Sequence, residues 1–118
     1  MKDVNGKISY NGKEYTLVFN LNVMESIQDK YGSLSKWWEL TDGSASDIGE
    51  PNIKATVFGI TEMINEGIDI ENDEKGTDNA FLTVKQVGRM ISAVGIANAN
   101  SVMNDIVVKS TESAEKNE

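Results

Sequence analysis

The chain has 118 residues, a length that suits one domain able to bury roughly two-thirds of its unfolded surface without covalent staples. It contains no cysteine and no histidine, which excludes disulfide scaffolds, thiolate chemistry and every nucleophile pair built on imidazole. Eleven basic against nineteen acidic residues leave a net charge of −8, so phosphate backbones and anionic membrane surfaces are disfavoured partners.

Lys7 to Phe19 reads as a β-hairpin. Ile8 and Tyr10 alternate with polar residues, Asn11-Gly12 is the dipeptide of a type I′ turn, and Tyr15, Leu17 and Phe19 alternate on the return strand. Thr16 and Val18 point the other way, so the second strand is expected to be covered in part on both sides. A two-stranded ribbon is marginal alone and must lie on helices.

The first helix is expected from about Asn22 to Tyr31, with Asn20 or Asn22 as its cap. Met24, Ile27 and Tyr31 share a face flanked by Val23, and Gly32 supplies the left-handed stop. Ser33 can cap a second, short helix that carries Leu34, Trp37 and Trp38 and ends by Thr41 or Asp42. Adjacent residues on a helix point about 100° apart. Either one indole is core and the other lies at the rim, or both cover the domain's own core; a rim tryptophan would anchor a partner.

Residues 42–50 are loop by composition, and Pro51 suits the first turn of a third helix. Ile53, Val57, Ile60 and Ile64 keep the helical period, widened by Phe58 and Met63, and Gly67 reads as the stop. Ile68 and Ile70 alternate with acids as in a short extended segment, and Glu71 to Asn79 reads as a mobile acidic loop. Thr83 and Gln86 form a capping box ahead of Val87, Ile91 and Val94. Gly95 to Asn100 weakens that helix, and Ser101 caps a further short one bearing Val102 and Ile106. The expected fold is α+β: one mainly α-helical domain over residues 1–109, with four to five helices after the hairpin at 7–19. Residues 110–118 form a disordered polar tail.

Reactive constellations are missing. A calcium loop begun at Asp69 would need glycine at its sixth position and glutamate at its twelfth, where Glu74 and Ala80 stand. Glu25 with Asp29, and Glu62 with Glu66, sit on polar helix faces where both acids of each pair stay hydrated. The turn glycines Gly12, Gly32 and Gly67 form no phosphate cradle. Met24, Met63, Met90 and Met103 read as core filler sooner than as an adaptable groove. The pattern is that of a non-enzymatic binding module without metal or cofactor. No run is apolar enough to span a membrane and no signal peptide opens the chain, so a soluble cytosolic protein is expected.

The order of NGKEYTLVFNL, VMESIQDKYGSL, a Trp-bearing helix, IKATVFGITEMINEG and TVKQVGRMISAVGIANA resembles the small tail assembly chaperones of long-tailed phages and prophages, including relatives encoded by gene transfer agents. In that family a polar turn and strand lead into a helix ending in an aromatic-glycine pair, matched here by Tyr31-Gly32 and Leu34. The likeness covers about residues 5–105, while the loops at 41–50 and near Asp73 do not map onto the family. It implies a partner, the tape measure protein, held in the host cell cytoplasm until tail tube subunits displace the chaperone. It also implies no catalytic residue, and a longer frameshifted product to which the polar tail would be the linker. The implied mode is helix-in-groove binding, with Met24, Leu34, Trp37 and Trp38 as the contact residues. The rival expectation is an acidic interaction module or inhibitor of phage or host origin that mimics nucleic-acid charge. Mimicry would need acids in a row along one face, whereas here they are spread over loops and helix backs.

Overall fold

The computed structural model describes the backbone of residues 4–116 and the side chains of residues 6–110. β1 (Val4–Tyr10) and β2 (Lys13–Phe19) form an antiparallel ribbon closed by Asn11-Gly12. Both turn residues have positive φ, 53° and 74°, the conformation of a type I′ turn, and Asn and Gly tolerate it best. Pairing runs from Tyr10 opposite Lys13 to Val4 opposite Phe19, so β1 starts before the expected Lys7.

Five helices follow: α1 (Leu21–Tyr31), α2 (Leu34–Asp42), α3 (Ile53–Lys75), α4 (Val84–Val94) and α5 (Ile96–Lys116). The fold is α+β, a hairpin leading into a mainly helical body. Each of the first four helices opens on a side-chain cap that satisfies an orphan amide. Asn20 caps α1, Ser33 caps α2, Asn52 caps α3, and Thr83 with Gln86 closes a complete capping box on α4. Pro51 therefore precedes the cap of α3 and is not part of its first turn.

The ribbon is packed on both faces. Alternation puts Gly6 and Ile8 on one face with their cross-strand neighbours Leu17 and Tyr15. α5 crosses that face so closely that a β-carbon on Gly6 would stand 2.6 Å from Ile106 Cδ1. α3 packs along β2, where Gly67 leaves room for the Thr16 carbonyl; a β-carbon there would lie 2.6 Å from that oxygen. Leu17, Val18 and Phe19 are all buried as a result, which matches the expectation of a strand covered on both sides.

That approach corrects the reading of Gly67 as a stop. The missing side chain serves contact with the strand, and the helix runs on to Lys75, ending at Gly76 with φ 65°. Ile68 and Ile70 are helical, as are residues 71–75 of the expected acidic loop. The rest of that loop is tied down: Asn72 Oδ1 accepts from the Thr77 hydroxyl and the Asn79 amide, both at 2.9 Å. Asn65 then clamps the entry to α4, accepting from the Leu82 amide at 2.8 Å and donating to its carbonyl at 3.0 Å.

A single break at Gly95 (φ 96°) separates α4 from α5, and the two helices meet at 108°. The expected weak stretch after it is helical from Ile96 onward, because Ala97 and Ala99 are strong helix formers and Asn98 donates to the Val94 carbonyl. Helix also replaces the expected disorder at residues 110–116, a stretch without glycine or proline, where adding one residue to a formed helix costs little. Residues 117–118 of that tail, and residues 1–3, lie outside the described residues. Leu17, Ile27, Trp37, Ile60, Met63, Ile64, Val87, Met90, Met103 and Ile106 form the fully buried centre, where ribbon and all five helices meet.

Candidate partner-binding surface

The four residues expected to meet a partner fall into two groups. Trp37 is only 1% exposed and is pinned from three sides. Its Nε1–H donates to the Ala55 carbonyl at 3.0 Å, its ring stacks near Phe19 with centroids 6.5 Å apart, and it lies against Gly59. It presents no surface to a partner, which corrects its place among the contact residues. The bond from its indole nitrogen also meets the one polar need that burial of tryptophan creates.

Trp38 takes the rim position, with its centroid 6.1 Å from that of Trp37. The helical offset of neighbouring residues divides the pair into core and rim, one of the two arrangements left open by the sequence. Leu34 lies one turn before Trp38 on the same face of α2, and Met24 sits on α1; all three are partly buried and pack against the core. Met63, Met90 and Met103 are buried, as filler is.

Beside this surface, Tyr31 meets Phe58 edge to face at 5.7 Å, and Lys30 lies 5.0 Å above the Phe58 ring. Burial pushes the Tyr31 phenol above its ordinary value. At the end of α2, the Ser44 amide donates to Asp42 at 2.8 Å, and this bond with the Ser44 hydroxyl lowers the Asp42 carboxyl.

Uncovered apolar side chains lie elsewhere, among them Ile48 and Leu21, which are more exposed than any other large one among the described residues. Ile53 is 67% exposed, Phe81 55% and Val84 54%, and Ile96 projects at the start of α5. Of the helical stripe Ile53, Val57, Ile60 and Ile64, the last two are fully buried, Val57 packs partly buried against the core, and Ile53 lies outside it. α3 turns Ala55, Thr56, Gly59, Ile60, Thr61, Met63 and Ile64 inward, with the ring of Trp37 against the small Gly59. Between α3, α4 and α5 lies a groove of about 760 Å³, lined by Ile53, Val57, Ile91 and Ile96 with Lys85 and Arg89. Sequence reasoning missed it, although α4 carries two positive charges and no acid within an acidic chain.

The carboxylates are engaged structurally or left in water. Glu66 accepts from the Asn20 amide at 2.7 Å and from the Asn22 amide at 3.0 Å, tying α3 to the start of α1. Glu25 and Asp29 are exposed. Among the described residues no group of three or more acids is placed to hold a metal ion, and no single helix is long and apolar enough to cross a membrane. Comparison with protein-family models, with curated proteins and with solved structures gave no match to this chain.

Proposed function

We propose that the protein is a non-enzymatic tail assembly chaperone of a long-tailed phage or prophage. It binds the tape measure protein in the host cell cytoplasm and keeps it dispersed until tail tube subunits take over. The observation that carries this reading is the pairing of a strongly acidic chain with large aliphatic and aromatic side chains left uncovered on a helical body. Such patches mark interaction surfaces, and net charge keeps the loaded complex from aggregating. The order of strand, helix, aromatic-glycine stop and Trp-bearing helix supports it further, by likeness to that family.

Co-expression with the long helical protein encoded beside a tail tube gene tests the reading. The expected result is a soluble complex that survives purification, where the long protein alone precipitates. Precipitation of the long protein in the presence of excess chaperone would overturn it.

A further inference from the structure

We propose that the groove between α3, α4 and α5 receives an amphipathic helix of the partner whose apolar stripe is flanked by carboxylates. The inference rests on the chaperone reading only for the identity of the protein that supplies the helix.

Three observations converge on that occupant. Two of the groove's four aliphatic side chains are uncovered: Ile53 is 67% and Ile96 39% exposed, although both are the kind of side chain a core normally takes, while Val57 and Ile91 pack with the core. Its charge runs against that of the whole molecule. Lys85 and Arg89, one turn apart on α4, line it, no carboxylate does, and neither is in an ion pair among the described residues. Arg89 is the chain's single arginine, and its planar fork suits a carboxylate.

Gly88 is the third. Three other glycines outside turns each face a close neighbour: Gly6 meets Ile106, Gly59 meets Trp37, and Gly67 meets Thr16. Gly88 stands in the middle of α4 with no unusual backbone angle, and a β-carbon there would meet nothing within 4 Å. Glycine inside a helix is unfavourable relative to alanine, and the fold gives no internal reason for it. It lines the groove beside Arg89, where the bare backbone lets a second helix come close. An acidic amphipathic helix satisfies the aliphatic walls, the two cations and the bare backbone together.

The test uses two labelled 21-residue helical peptides with identical leucine stripes, one flanked by glutamates and one by lysines, titrated onto the full chain by fluorescence anisotropy. The glutamate peptide is expected to bind about tenfold tighter than the lysine peptide, with the preference shrinking as salt rises. Lys85→Glu with Arg89→Glu is expected to reverse the preference. Gly88→Ala is expected to raise Tm and yet weaken the glutamate peptide about tenfold, a combination that damage to the fold cannot produce. Equal affinity for both peptides, or affinities untouched by these variants, overturns the proposal. So does self-association in sedimentation that Gly88→Ala abolishes, which would make a second copy the occupant. Variant-sensitive binding to vesicles of three parts phosphatidylcholine to one part phosphatidylserine overturns it as well. If the variants still solubilise the long helical protein, the groove falls and the chaperone reading stands. If the groove binds the glutamate peptide but the chain does not solubilise that protein, the groove stands and the chaperone reading falls.

Discussion

The indole of Trp37 fills the space a side chain would need at Gly59: its Cζ2 stands 2.5 Å from where a β-carbon would be. The ring cannot slide away, because the Ala55 carbonyl holds its nitrogen and Phe19 lies along its face. Gly59→Ala is therefore expected to destabilise the domain by about 1–2 kcal/mol, overpacking outweighing the better helix propensity of alanine. A lower urea midpoint with an unchanged slope is the check.

The two tryptophans should be separable by fluorescence. Trp38→Phe leaves Trp37, whose emission is expected to be blue-shifted and hard to quench with acrylamide. Trp37→Phe leaves the rim ring of Trp38, redder and more readily quenched. Reversed spectra would contradict the division of the pair.

Gly67→Ala is expected to be costly, by about 1–3 kcal/mol, because the atom it meets is the Thr16 carbonyl oxygen at 2.6 Å, and backbone does not yield as a flexible side chain does. The loss is read as a fall in the urea midpoint. A neutral outcome would mean that α3 does not ride on β2.

Asn65 makes both its hydrogen bonds to one residue, the amide and carbonyl of Leu82. Asn65→Ala leaves both groups to find water in a partly buried site, at a cost of about 1–3 kcal/mol. Faster hydrogen exchange at the Leu82 amide, with the hairpin amides unchanged, is the expected signature.

The pH profile of stability has a sign at each end. The Tyr31 phenol is raised by burial above its ordinary value of 10.0, so its contribution is full below pH 10 and lost as pH rises through the folded-state value. Tyr31→Phe should flatten the alkaline limb of a Tm profile. Asp42 is lowered from 3.8 by the Ser44 amide and hydroxyl, so its contribution is present above pH 3.8 and lost as pH falls through the folded value. Asp42→Asn should remove that part of the acid limb.

Local chemistry was legible where a residue acts on its neighbours. Asn11-Gly12, Ser33 and the Thr83–Gln86 box all behave as their sequence context implies, because turns and caps are settled within four residues. Gly32 and Gly67 look alike in sequence, each following an amphipathic run, but only Gly32 ends a helix. What separates them is Thr16, a residue far away in the chain, and no local pattern carries that information. Ile53 keeps the period of Ile60 and Ile64 yet is 67% exposed at the first position of α3, and that too depends on where the rest of the chain packs. Of the candidate site, a split of the tryptophan pair into core and rim was one of two open readings, and nothing in the sequence said which ring takes which place. The groove emerged only once α3, α4 and the bend at Gly95 were placed together.

The molecule measures 46 × 39 × 23 Å. At 1.5 Å per residue, its longest side spans only about 30 residues of a straight helix. Under the proposed reading, a helical client much longer than that would consume many copies at once, in proportion to its own length. Supply would then set the outcome: a cell making as few chaperones as clients would leave most of each rod bare.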